Sequence, residues 1–151
     1  MSIKKLVLLM GLSVLFAGCS TGRYPANQVT PGESKTDVGM RYLLGKAVVQ
    51  SDTKAFSYFS EAAKEDDPFA ENELGYMYAA GKGTERDYAQ AIIYYQKAAN
   101  HGLASAQYNL GLLYFYGLGT QPNQQLAIQW LQKSAGNGFE PAKLMLNKLR
   151  P

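Results

Sequence analysis

Few residues in this chain could serve as a nucleophile or a proton relay. Of its 151 residues, one is a cysteine and one a histidine. Cys19 has no second thiol to pair with, so a disulfide within one chain is excluded. His101 stands beside Gly102 at an expected helix end. An imidazole there suits the helix C-terminus better than it suits a reaction with no nucleophile nearby. Gly81-Lys82-Gly83-Thr84 has the residue types of a phosphate loop, but a P-loop is longer, follows a strand and ends in Gly-Lys-Ser/Thr. The stretch recurs as Gly117-Leu118-Gly119-Thr120 without the lysine, so both copies read as turns. Glu65-Asp66-Asp67 could hold a hard cation and reads better as a solvated helix cap. The other carboxylates read as lying at turns or on outer faces. No Cys/His cluster has zinc spacing. These residue types predict no catalytic residue, no metal site and no small-molecule cofactor.

The elements that would position any site emerge from the period of the chain. Ala55, Ala91 and Ala127 stand 36 residues apart, as do Ala70, Ala106 and Ala142. Leu74, Leu110 and Leu146 keep the same step, and so do Gly39, Gly75, Gly111 and Tyr42, Tyr78, Tyr114. A period of this length marks stacked copies of one small unit that cannot bury its apolar face alone.

The clearest unit runs from Phe69 to Gly102. Ala70, Leu74, Met77 and Tyr78 give helical spacing, with Asp67 as N-cap and Pro68 at the first helical position. Gly81 and Gly83 stop this helix. Asp87 starts a second one, and Gln90 three residues on completes a capping-box pattern. That helix runs to about Asn100 and ends at Gly102. The next unit repeats the plan. An earlier, worn copy matches Val38-Gly39-Met40-Arg41-Tyr42 to Leu74-Gly75-Tyr76-Met77-Tyr78, with Ala47 in place of its second turn glycine. Glu140 to Leu149 reads as a single closing helix. Gly75 and Gly111 lie inside helices, where glycine costs roughly 1 kcal/mol relative to alanine. Close approach of the paired helix, with Ala91 and Ala127 opposite, would account for them.

The ends differ in composition. Lys4 and Lys5 precede an apolar run from Leu6 to Phe16, which is too short to span a bilayer core of roughly 30 Å. It fits the h-region of an export signal. Leu15-Phe16-Ala17-Gly18-Cys19 resembles the bacterial lipobox, with Phe16 where that motif usually has leucine. The resemblance implies cleavage before Cys19, lipidation of Cys19 (palmitate among its acyl chains) and, with Ser20 next, sorting to the outer membrane. Each buried CH₂ of an acyl chain contributes about 0.8 kcal/mol, so several chains anchor stably without a membrane-spanning helix. Residues 19–33 are polar and rich in Pro and Gly, as a flexible tether would be. Lys4 and Lys5 aside, 13 basic residues face 12 acidic ones. That balance lacks the basic excess of a nucleic-acid binder.

The pattern A-x-x-x-L-G-x-x-Y, G-x-G, A-x-x-x-Y/W, A-A-x-x-G is similar to that of the Sel1-like repeats, relatives of the tetratricopeptide repeats. It occurs at Ala70–Gly102 and, nearly complete, at Ala106–Gly138. The resemblance implies an all-α, right-handed α-solenoid of paired antiparallel helices. Its expected layout is a signal peptide at 1–18, the tether at 19–33 and a repeat domain at 34–151. Within that domain a degenerate copy fills 34–69, full copies fill 70–105 and 106–139, and a capping helix fills 140–149. Some secreted members pair two cysteines in every repeat and have been linked to β-lactam binding; with none of those cysteines here, that activity is not carried over.

The tetratricopeptide likeness further implies an inner groove lined by Asn72, Tyr76 and Ala79, then Tyr108, Leu112, Phe115 and Tyr116. Met40 and Leu43 are the weaker counterparts in the first copy. Tyr108 and Tyr116 are expected to be exposed, whereas Leu112 and Phe115 could equally fill core. Tyrosines, an asparagine and an apolar floor suit an extended peptide. The expected function is therefore a non-catalytic adaptor or scaffold, lipid-anchored in the cell envelope and facing the periplasm, with an envelope protein or peptide as partner. An envelope or cell-wall hydrolase, or a lipoprotein that self-associates along its end helix, are the alternatives.

Overall fold

The computed structural model describes residues 30 and 32–149. The leader, Cys19 and most of the tether lie outside these residues. Among the described residues there are seven helices and no strand: α1 (Lys35–Leu44), α2 (Asp52–Ala63), α3 (Pro68–Ala80), α4 (Tyr88–Asn100), α5 (Ala104–Tyr116), α6 (Gln124–Gly136) and α7 (Glu140–Leu149). The fold is thus an all-α helical repeat. α1 packs chiefly on α2, α3 on α4 and α5 on α6, and each pair then packs on the next. One continuous core joins them, with Ala70, Leu74, Met77, Ala106, Leu110 and Leu113 fully buried. Among the described residues no helix is long and apolar enough to cross a membrane.

The turns are built the same way each time. Gly45, Gly81 and Gly117 close α1, α3 and α5 in the left-handed region. The second helix of each pair is capped by Ser51, Asp87 or Asn123, whose side chains accept from the first-turn amides. The capping box expected at Asp87 and Gln90 does not close. The Asp87 amide donates instead to the Tyr78 carbonyl at 2.9 Å, as Ser51 does to Tyr42 and Asn123 to Tyr114. That bond ties each second helix to the end of the first and leaves Gln90 nothing to return to.

The helix glycines are explained by close approach of the paired helix, though its nearest atoms are mostly not those of the alanines. A β-carbon on Gly75 would sit 2.7 Å from the ring of Tyr95, and one on Gly39 as near Phe59. On Gly111 it would meet Leu131 at 3.0 Å and the Ala127 carbonyl oxygen at 3.2 Å. The large residue one turn beyond each alanine therefore fills most of the space, and at Gly111 the Ala127 carbonyl shares it. The second turn glycines do a different job. A β-carbon on Gly83 would lie 2.6 Å from the carbonyl carbon of Asp52, and one on Gly119 2.6 Å from that of Tyr88. These glycines let each turn rest on the first turn of the preceding copy's second helix. Ala47, at the same position in the first copy, adopts φ 57°.

Candidate functional site

The residues expected to form an open groove are mostly covered. Asn72, Tyr76 and Ala79 on α3 are 5%, 7% and 2% exposed, and Tyr108 and Leu112 on α5 are 7% and 4%. Tyr108 is therefore not the exposed side chain anticipated. Its ring packs on Phe139 at 5.4 Å, and burial, then the nearby Tyr116 phenol, push its own phenol upward in pKa. Tyr116 and Phe115 are half-buried, edge to face at 5.1 Å. In the first copy Met40 is half-buried and Leu43 buried. Lys82 places its ammonium 5.6 Å from the centre of the Tyr76 ring.

Three residues on the same side of these helices were not anticipated. Helical residues three, four or seven apart share a face. Phe69 and Glu73 therefore join Asn72 and Tyr76 on one side of α3, within electrostatic reach of the buried Tyr95 phenol from α4, and Asn109 joins Leu112 and Tyr116 on α5. Phe69 is half exposed, whereas Glu73 and Asn109 are buried. Asn72 donates from its amide nitrogen to a Glu73 carboxylate oxygen at 3.1 Å. The other Glu73 oxygen, the Asn72 carbonyl oxygen and both polar atoms of the Asn109 amide are buried with no hydrogen-bond partner. Burial pushes the Glu73 carboxyl up to about 7, against the opposing hydrogen bond from Asn72. Since 73 and 109 are equivalent positions one period apart, the same register carries an unsatisfied group in both copies. That register was the available sequence signal, and polar residue type concealed it.

Glu71 also corrects the view that carboxylates lie at turns or outer faces: it is 1% exposed on α3. The Glu65-Asp66-Asp67 run divides its tasks. Glu65 pairs with Lys35, Asp66 takes a left-handed backbone at φ 56°, and Asp67 caps α3 through the Phe69 and Ala70 amides. Gly81-Lys82-Gly83-Thr84 is the turn between α3 and α4, and His101 is the C-cap of α4. Among the described residues no group of three His, Cys, Asp or Glu side chains is arranged to hold a metal ion.

Comparison with known proteins agrees with this architecture. The model of the Sel1 repeat family matches residues 32–67, 68–103 and 104–139. Comparison with curated proteins finds none that matches. Among solved structures, c5321, a protective antigen of uropathogenic Escherichia coli strains displaying an SLR fold, is 33% identical over 69% of this chain, with a TM-score of 0.68. A Sel1 repeat protein from Oxalobacter formigenes is 30% identical over 72% of the chain, at 0.69. The chain spans 22% and 43% of the lengths of these two proteins. The cysteine rich protein B of Helicobacter pylori shares the fold, at 24% identity, a TM-score of 0.62 and coverage of 77% of this chain and 99% of its own. Arrays of this kind generally serve as protein-interaction modules and are typically scaffolds without catalysis.

Proposed function

The chain belongs to the Sel1 repeat family, and from that premise we propose that it is a non-catalytic adaptor that grips an extended polypeptide segment along the side of α3 and α5 that carries Phe69 and Tyr116. One observation carries this reading. Asn72, Glu73 and Asn109 hold buried polar atoms without partners on successive first helices. A buried polar group left unpaired costs about 1–3 kcal/mol. A peptide backbone offers alternating donors and acceptors, which is what this row lacks, and Phe69 and Tyr116 supply apolar surface beside it. The partner in this proposal is a periplasmic or envelope protein. The chain itself is held at the outer membrane by acyl groups on Cys19, facing the periplasm, a placement supported by the lipobox-like run at 15–19.

Photo-crosslinking in cells tests the reading. The photoreactive residue is best placed at Phe69 and Tyr116, which retain exposure, with Ile93 on α4 as control. A shared crosslinked protein at Phe69 and Tyr116, missing at Ile93, is the expected result. The same adduct at all three sites, or adducts at Ile93 alone, would move the binding face to the other side of the array.

A further inference from the structure

Each copy sets a pair of polar side chains, 30 residues apart, between the start of its first helix and the end of its second. In the first copy it is an ion pair, Lys35 Nζ to Glu65 Oε1 at 2.5 Å. In the third, Asn137 donates to Gln107 Oε1 at 2.9 Å, while Gln107 donates to the Ala99 carbonyl of the preceding copy at 3.2 Å. In the second copy the same two positions hold Glu71 and His101. Their nearest atoms, Glu71 Oε2 and His101 Nε2, stand 3.8 Å apart, and that Oε2 has no hydrogen-bond partner although Glu71 is 1% exposed. The first and third contacts are made; the second is drawn up and left open.

We propose that Glu71 and His101 form a pH-operated latch, in which His101 takes a proton from solvent and its Nε2–H then donates to the Glu71 carboxylate, fastening the base of α3 to the end of α4 where the chain enters α5. The geometry fits a single added proton. The His101 side chain is 46% exposed, so solvent reaches it, whereas the carboxylate side chain behind it is 1% exposed and lacks a donor. An imidazole is the side chain whose charge changes between about pH 5 and 8. The charged groups acting on Glu71 are His101 and Lys97 from α4 and Asp66 and Asp67 from the turn before α3. Burial raises the proton affinity of Glu71 most; His101 and then Lys97 oppose that, and the two aspartates add to it. A buried carboxylate so placed gains from one more positive neighbour. The latch is a property of the fold and does not depend on which partner binds.

The test is thermal unfolding of the full chain between pH 5.5 and 8, for the wild type, His101→Asn, Glu71→Gln and the double variant. The double variant copies Gln107 and Asn137, a neutral pair this fold already holds. At pH 5.5–6 the wild type is expected to melt about 4 °C above His101→Asn, and the difference is expected to vanish by pH 8. The double variant is expected to lose that pH dependence. Amide exchange at His101–Ala104 gives a local reading. Corrected for intrinsic rates, it should slow on acidification in the wild type and stay unchanged in the double variant. Parallel melting of wild type and double variant across the range, or acid slowing of exchange in both, would overturn the latch. If Glu71→Gln fails to fold, wild type against His101→Asn decides, since any change at Glu71 also removes the acid stabilisation of its own burial-raised carboxyl.

Discussion

Replacing Gly83 by alanine should separate the first copy from the second, whereas the reverse change at Ala47 should stabilise the array. Both residues occupy the same turn position one period apart, and both have left-handed backbones, φ 67° and φ 57°. A left-handed conformation costs an L-residue about 1–2 kcal/mol. At Gly83 the added carbon also meets the Asp52 carbonyl group, at 2.6 Å from its carbon, and the Thr53 amide nitrogen at 3.0 Å. Those are backbone atoms in the first turn of α2, so no rotamer change relieves the clash; the copies must move apart. Crowding of a packed contact adds about 1–3 kcal/mol, and the loss of glycine's unfolded-state entropy offsets about 0.5–1 kcal/mol, for a net loss of about 1–4 kcal/mol. With unfolding entropy of about 2.1 cal/mol/K per residue over the ordered chain, that loss lowers the melting temperature by about 4–16 °C. Ala47 is exposed and opens the array, so Ala47→Gly removes only the left-handed cost, offset by glycine's greater unfolded-state entropy of about 0.5–1 kcal/mol. A net gain of about 0.5 kcal/mol, or about 2 °C, is expected. Thermal and urea unfolding followed by circular dichroism measure both. A loss at Gly83 below about 1 kcal/mol would mean that left-handed geometry alone governs this glycine, and the stacking role would be refuted.

Three further outcomes follow from particular residues. Glu73 has a carboxyl raised to about 7 in the folded chain. Its stabilising contribution is therefore complete below about pH 4.5 and is lost as pH rises through 7, a swing of about 3 kcal/mol. Glu73→Gln should flatten that part of the stability profile between pH 5 and 8, and an unchanged slope in urea melts would refute the assignment. Phe69→Ala combined with Tyr116→Ala should weaken capture of the crosslinked partner at least tenfold while the far-ultraviolet spectrum stays helical; undiminished capture would remove this face from the site. Cys19→Ala should release the protein from the membrane fraction, and a variant that stays membrane-bound with its leader removed would refute lipid anchoring.

The backbone plan was legible because it is written in residue types with one physical use each. Asp67, Pro68 and Gly81 mark the ends of α3, and Asp87 and Gly102 bracket α4, where the structure has them. The partner of Gly75 was misread because two small residues facing each other look like the closest approach. In the fold the missing side chain makes room for the ring of Tyr95 instead. The polar atoms of the candidate site were harder to read for a different reason. α3 and α5 are flanked by other helices on most sides, so residues Ala70–Met77 and Ala106–Leu113 are all buried. Such helices have no solvated stripe, and helical phase cannot tell a groove from a core. Asn72 and Tyr108 thus looked like open groove residues and are covered. The contacts between Lys35 and Glu65, Glu71 and His101, and Gln107 and Asn137 were invisible because no residue type repeats among them.

That last difference separates two kinds of position in a repeated fold. Where a copy must touch the next through its backbone, only shape matters, and Gly83 and Gly119 are alike because any side chain collides. Where a contact is made by side-chain ends, geometry is kept and chemistry is free. The polar contact is ionic in the first copy and amide to amide in the third. The positions of the candidate site behave in the second way: Asn72 is matched by Tyr108, Glu73 by Asn109, Tyr76 by Leu112 and Ala79 by Phe115. Two successive helices therefore present different chemistry from one scaffold. A self-repeating ligand would be read better by identical copies. A segment whose side chains change along its length is the better match to this face, where Phe69 on α3 and Phe115 and Tyr116 on α5 keep exposure.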